Sequence, residues 1–498
     1  MNKSGVTLPS QSFYKVLNDD QVKIIDNAGY EILREVGVFL EDDELLKMAQ
    51  KMCGEVDFEK KIVKGFQEHV IRENVAKAPR NFVLGARDPD WDMIFQGAGR
   101  RQFWGLSCGA TDRLEWDSTK RTYSRRRANV KDVTYASKMV DGIDDYDTNC
   151  YVYDLGEEGQ LGLPSELIRM DAMLKATTKF AGHLCTTVSD IKEHDYVAQL
   201  GTTVAGGEEE FRKHPLFWSV YNYLGTLQLN RFNSWSFRAS IKHHFPIMPA
   251  VTAAAPLVGP ATVAGNTAIS HAGCLFMSAM KQFYDPGTAE VINNTVFALD
   301  PYNGYGYGGS NHMHLGMISM NQIWHELYGL PTTSYAASQA ADPDQMALNL
   351  GFALGRENIY GTDMIWMQTA ATAMDPVMII VDAEVARMNK HFMSELHQAI
   401  PTKENLALEL TKKIGAKGEG WMTEDFNLAR IDTFYTSPYR DMGSFDSWLH
   451  EGSKSWIDDH CRGLLKEYEK HEPIPMPKDI AEKMNAIVNE GTALLKRK

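Results

Sequence analysis

At 498 residues, of which 44% are hydrophobic, 10% aromatic and 23% charged, the chain is long enough for one large core with extensions or for separate domains. This composition excludes a disordered or low-complexity protein. A formal net charge of -14 disfavours nucleic acid and anionic lipid as partners and suits a cationic ligand; with no signal-like start and no apolar run of ~20 residues, neither membrane nor secretion is indicated and a cytoplasmic protein is expected.

The first elements in chain order are helical. Asn18-Asp-Asp-Gln21 opens a helix with Val22, Ile25, Ala28, Ile32 and Val36 at helical spacing, and Asp42 opens another. From Arg101 to Val130, alternating and aromatic residues around polar turns predict a β-hairpin or meander. Residues 1–128 therefore read as an N-terminal helical and β-hairpin extension.

A strand-then-helix rhythm follows. Strands are predicted over 148–153, 180–187, 216–223, 247–253, 290–297, 332–337 and 358–366. Helices are predicted over 164–177, 190–205, 230–243, 261–284, 315–328, 344–354 and from Asp382. Repeated βα units imply parallel strands with covering helices, and seven or eight of them favour a closed barrel over an open sheet. No GxGxxG or P-loop supplies the nucleotide-binding turn of the open class; the glycines from Gly304 to Gly309 do not form that motif. The fold class is α/β, a (β/α)8 TIM barrel over 129–399 that carries the active site. A C-terminal helical extension over 400–498 closes the chain, with Pro473, Pro475 and Pro477 ahead of a last helix from Asp479 to Leu495.

Six cysteines, at 53, 108, 150, 185, 274 and 461, show no CxxC or other close pairing, so reduced thiols are expected. His312-Met-His314 has the spacing of two ligands on one strand face, yet no nearby Cys or carboxylate cluster completes a metal set, and none is expected.

Several ordered segments together resemble the trimethylamine methyltransferase-like family. They are Val16 to Gln21, Glu31 to Gly37, Ala78-Pro79, Ala86 to Pro89, Thr177 to Ala181, Ala255 to Gly265, Asp285 to Gly287, Ser444 to Trp448 and Tyr468 to Pro477. The resemblance implies a (β/α)8 barrel that moves a methyl group from a methylated amine to a cognate corrinoid protein. The cobalamin-type group is then carried by that partner, with no cofactor bound in this subunit. The trimethylamine enzymes carry pyrrolysine in the region that here reads Asp363 to Ala370, where only ordinary residues stand. That departure points to the members without pyrrolysine and to a quaternary amine. Glycine betaine is the first choice and dimethylglycine the product, with proline betaine, carnitine and γ-butyrobetaine as alternatives. Rival readings are a noncatalytic betaine sensor and a metal-dependent barrel hydrolase built on His312 and His314.

A quaternary nitrogen already carries its charge, so loss of a methyl leaves a neutral tertiary amine and no general acid is needed. No acid or base residue is singled out. The protein has to hold the cation and orient one methyl, work suited to aromatic faces at the C-terminal ends of barrel strands. Tyr153, Tyr221, Tyr223, Tyr305, Tyr307 and Trp366 are the aromatic candidates for substrate binding, with Tyr302 and Tyr335 nearby. His312, His314, Gln339 and Gln368 are candidate donors to a substrate carboxylate, and Asn311, Asp342, Asp344 and Gln345 stand close in sequence. The Arg125-Arg-Arg127 cluster, with Arg100, Arg101 and Arg121, offers either a contact to the corrinoid protein or a solvated hairpin face. A homo-oligomer is expected, as for many large barrels with helical extensions.

Overall fold

Parallel strand pairing organises the centre of this mixed α/β molecule. The computed structural model describes residues 2–8, 13–52, 54–149, 151–184, 190–304, 306, 310–337, 342–368, 372–434 and 443–496. For residues 160, 183, 184, 224, 337, 343, 368 and 432 it describes the backbone alone.

Arg101–Leu106 (β1) pairs in parallel with Thr148–Asn149 (β2), and Thr148 bridges in parallel to Phe180, which leads into His183–Leu184 (β3). β3 pairs with Trp218–Leu224 (β4) and β4 with Ile247–Thr252 (β5). Ile247 bridges in parallel to Glu290, which precedes Ile292–Asn293 (β6). β6 pairs with Thr332–Ala337 (β7), β7 with Met364–Gln368 (β8), and β8 with β1. The parallel contacts therefore run through eight segments and return to the first.

A helix follows each segment and travels back antiparallel to it. These are Val130–Gly142 (α1), Ser165–Ala176 (α2), Glu193–Ala205 (α3), Arg231–His243 (α4), Val263–Tyr284 (α5), Asn311–Ile323 (α6), Pro343–Ile359 (α7) and Val377–Glu395 (α8). Four of these starts are capped by side chains: Asn129 accepts from Lys131 N, Asn230 from Asn233 N, Ser310 from Met313 N and Asp342 from Gln345 N. Such caps satisfy amides that a helix start leaves without partners.

Two strands differ from expectation. The stretch 101–130 does contain an antiparallel hairpin, Asp112–Asp117 with Thr122–Arg127, but β1 within it belongs to the parallel ring. β1 is buried on both faces from Gln102 to Leu106, so its sequence carries no inside-outside alternation to set it apart. The strand expected from Asn358 starts only at Met364, because α7 continues to Ile359 and is stopped by Gly361 in the left-handed region, φ +70°.

Flanking pieces brace the ring. The hairpin Asn81–Leu84 with Met93–Gln96 brings Phe82 and Phe95 against Phe103, with Phe82–Phe95 centroids 4.7 Å and Phe95–Phe103 centroids 4.8 Å apart. Phe103 lies in the first half of β1, so this hairpin packs toward the N-terminal end of the strands. The helix Asp19–Glu35 lies on α5, where buried Asp26 accepts from His271 Nε2 at 2.8 Å and from Arg72 at 2.6 Å. At the other end of the chain, Lys478–Leu495 packs on α2 and α3, with Gly491 so close that an added Cβ would stand 2.4 Å from Leu167. Among the described residues no helix is long and apolar enough to cross a membrane.

Candidate functional site

Strand parity decides which side chains enter the ring. Tyr335, Trp366, Gly105 and Thr148 are successive register partners on β7, β8, β1 and β2. A Cβ added to Gly105 would meet the Trp366 ring at 2.4 Å and the Thr148 methyl at 2.5 Å, so the Trp366 indole lies across this glycine on the inner face. Below that layer, Phe103, Met364, Trp218, Val220, Met248 and Val291 form one apolar cluster with Phe180. Trp218 meets Trp366 edge-on at 5.9 Å and Phe180 at 5.6 Å.

Tyr151 and Tyr335 pack on this cluster from the side of the strand C-termini and are only half-buried. Tyr335 also touches Met313 and Met317 of α6. The guanidinium of buried Arg169 stacks 4.1 Å from the Tyr151 ring centroid and is held by Glu166 at 2.5 Å and 2.6 Å. Aromatic faces therefore line the interior from Phe180 up to Tyr151 and Tyr335, with Trp218 and Trp366 between. Among the described residues the Trp218 indole N–H has no acceptor, so its ring contributes a face and not a hydrogen bond.

The expected site residues divide. Trp366 is in the interior. Tyr221 and Tyr223 are not: they occupy the alternate parity of β4 and point into the helical layer. Tyr221 meets Phe237 of α4 edge-on at 5.1 Å and donates to Ser236 O at 3.3 Å, and Tyr223 packs beside Gly273 of α5. Tyr153 is fully buried outside the interior cluster, its hydroxyl donating to Met374 O at 3.2 Å. Tyr305, Tyr307 and Gln339 lie outside the described residues, as does the side chain of Gln368, whose backbone pairs with Ala337 at the end of β8.

His312 and His314 sit on α6, not on a strand, and residues two apart on a helix point to different faces. His314 is buried, its Nδ1 3.1 Å from Glu357 Oε1, while Glu357 Oε2 accepts from Ser334 Oγ at 2.6 Å; this group ties α6, α7 and β7 together. His312, in the first turn of α6, is half-buried, and burial lowers the pKa of its ring. Among the described residues no group of three or more His, Cys, Asp or Glu is placed to hold a metal ion.

Of the neighbouring candidates, Tyr302 is 96% exposed and Asp342 caps α7. The arginine cluster is paired within its own surroundings: Arg125 and Arg127 with Asp112, and Arg126 with Glu115 and Asp132. Tyr151, Trp218 and Phe180 were missed as interior residues. The run Leu216 to Tyr223 is apolar or aromatic at both parities, so alternation alone does not say which set faces inward.

The chain is similar to known proteins along nearly its whole length. The family model described as trimethylamine methyltransferase (MTTB) matches residues 4–494. The chain is 24% identical over 484 residues to the trimethylamine methyltransferase of Desulfitobacterium hafniense strain DCB-2, covering 95% of this chain and 93% of that one. It is 23% identical over 474 residues to the glycine betaine methyltransferase of D. hafniense strain Y51, covering 92% of each. Among solved structures, the Methanosarcina barkeri monomethylamine methyltransferase superposes with a TM-score of 0.48 at 10% identity, covering 93% of this chain and 90% of that one.

Proposed function

The chain belongs to the trimethylamine methyltransferase (MTTB) family and is a methyltransferase, and on that premise we propose that it demethylates a quaternary amine, glycine betaine first, with a corrinoid protein as acceptor. The parallel ring is read as a closed (β/α)8 barrel with its mouth at the strand C-termini, where such enzymes place their chemistry. The extensions then comprise residues 1–100 and 400–498, with β1 inside the barrel. A cytoplasmic location fits this reading.

One observation carries the proposal: half-buried Tyr151 and Tyr335, at or beyond the strand C-terminal halves, pack on an apolar interior cluster that contains Trp366. A quaternary ammonium has no N–H to donate, so π-faces and exclusion of water are what hold it, at ~0.5–2 kcal/mol per face. The corrinoid, carried by the partner protein, supplies the nucleophile. This chain's residues hold the cation and direct one methyl outward. As the C–N bond breaks, its electron pair remains on nitrogen and dimethylglycine leaves neutral at that atom, so no proton has to be delivered. The ordinary residues from Asp363 to Ala370 fit a substrate that needs no added electrophile.

Anaerobic incubation with Co(I) cobalamin and a panel of amines, read by the methylcobalamin spectrum, tests this. Methylation is expected with glycine betaine or another betaine and not with trimethylamine. Methylation with trimethylamine alone overturns the substrate class. Tight betaine binding without methyl transfer to free cobalamin or to the cognate corrinoid protein would make the chain a sensor.

A further inference from the structure

The inward faces of the ring strands are not apolar throughout. On β4, half-buried Asn222 follows Trp218 and Val220 of the interior cluster at the same parity, and Ala250 on β5 is its register partner. The bridges Ile247–Glu290 and Ala255–Ala298 hold the next two segments in one register, which sets Ala250 opposite Asn293 at the end of β6. Asn293 pairs with Thr333 of β7, and Thr333 with Met364 of the interior cluster. Register partners point to the same face of a sheet, so Asn222, Ala250, Asn293 and Thr333 form one cross-strand row on the inner surface. Their chain neighbours point the other way: Val251 and Ile292 pack in the helical layer, and Ser334 donates to Glu357 of α7.

The row is polar and its hydrogen bonds are incomplete. Thr333 is fully buried, and its Oγ1 has no partner among the described residues. Buried Asn293 accepts at Oδ1 from Thr295 N at 2.9 Å and from Thr295 Oγ1, which turns its amide N–H groups away from Thr295, where no described residue accepts from them. Asn222 bonds to Asn233 through its backbone N–H, not its side chain. A buried donor without an acceptor is costly, so donors gathered on one surface call for an acceptor that arrives with a ligand.

We infer that this row is the subsite for a carboxylate carried by the substrate, an inference that rests on the quaternary-amine reading of the same interior. None of the described side chains that face inward between Phe103 and the strand C-termini is charged. A cation enclosed there finds no counter-charge on the protein, which favours a zwitterion that brings its own over a bare alkylammonium. A carboxylate accepts at two oxygens, enough for an asparagine amide and the Thr333 hydroxyl together, and bonds to an ionised acceptor are the stronger kind. The row also adjoins the aromatic residues. Tyr335 stands two residues beyond Thr333 on the same face of β7, a rise of about 6.6 Å, and is the register partner of Trp366. A betaine lying along that step sets its ammonium against the rings and its carboxylate on the row.

Calorimetric titration with glycine betaine and with tetramethylammonium separates the two ends of the ligand. Wild type is expected to bind glycine betaine at least about tenfold more tightly. Asn293→Asp keeps the bonds from Thr295 and replaces the donor with a charge that repels a carboxylate, and Asn222→Leu removes the amide from a half-buried position. Each is expected to weaken glycine betaine by about tenfold or more and to weaken tetramethylammonium by no more than about twofold. Thr333→Val removes an unpartnered hydroxyl, so the melting temperature should hold or rise while glycine betaine binds about threefold more weakly. A residue that serves only the fold would not part stability from binding in this way. Equal affinity of wild type for the two ligands overturns the inference and leaves the aromatic site standing, as do equal changes for both ligands in the Asn222 and Asn293 variants. A wild type that binds neither ligand overturns the quaternary-amine reading, and this inference with it.

Discussion

Among single residues, those that bear on substrate differ from their neighbours by the face they occupy. Tyr335 and Tyr223 are both tyrosines on ring strands, yet one packs on the interior aromatic cluster and the other against α5. Tyr335→Leu keeps apolar volume and removes a π-face, so glycine betaine is expected to bind roughly tenfold more weakly, about 1.4 kcal/mol, by calorimetric titration. Tyr223→Phe is expected to leave binding within about twofold. It should also leave the melting temperature unchanged or raise it, because the Tyr223 hydroxyl is buried with no partner among the described residues and its removal exposes nothing. Equal losses in the two variants would refute the inward-outward assignment.

At the level of elements, the ring and its helices are joined by buried polar groups as well as by apolar packing. Glu290, just before β6, is buried against α5, where Ser278 Oγ donates to it at 2.6 Å. Burial is the largest influence on its carboxyl and pushes it up to about 7, with the bond from Ser278 and the charge of Lys281 opposing. A carboxyl with a raised folded-state pKa binds more protons folded than unfolded between its ordinary value of 4.5 and about 7. Stability from this group is therefore present at low pH and is lost as pH rises through that window, by up to about 3 kcal/mol. Glu290→Gln removes the dependence: the gap in melting temperature between about pH 5.5 and about pH 7.5 should narrow relative to wild type. If the two proteins show the same gap, burial is not holding this carboxyl neutral.

For the molecule as a whole, the proposed chemistry sets the pH behaviour of turnover. A permanently charged substrate and a leaving amine that takes no proton in the step give no ascending or descending limb of their own. With the corrinoid protein saturating, kcat/KM for glycine betaine should vary by less than about twofold between about pH 6.5 and about pH 8.5. A bell-shaped profile in that range would require an acid or base that the quaternary-amine reading leaves out. Helices lie on the outside and a hairpin lies under the strand N-termini, so the proposed reaction places the partner that carries the corrinoid at the strand C-termini.

Much of the fold was legible because helices announce themselves locally. Asn18 and Gln21 are a capping box in sequence and in space, and the helices at 165–176, 231–243 and 263–284 fall within three residues of where periodicity puts them. The family and its general reaction were also legible, since ordered short segments recur along the whole chain. What stayed hidden depended on distant pairing. β1 reads as part of a hairpin until β2 and β8 are seen on either side of it, and His312 and His314 look like neighbours on a strand until α6 turns them apart. Tyr221 and Trp218 have equal claim to the interior in the sequence, because this strand carries large apolar or aromatic residues at both parities. Only closure of the ring, which sets the register of each strand against the next, decides that Trp218 looks inward and Tyr221 outward.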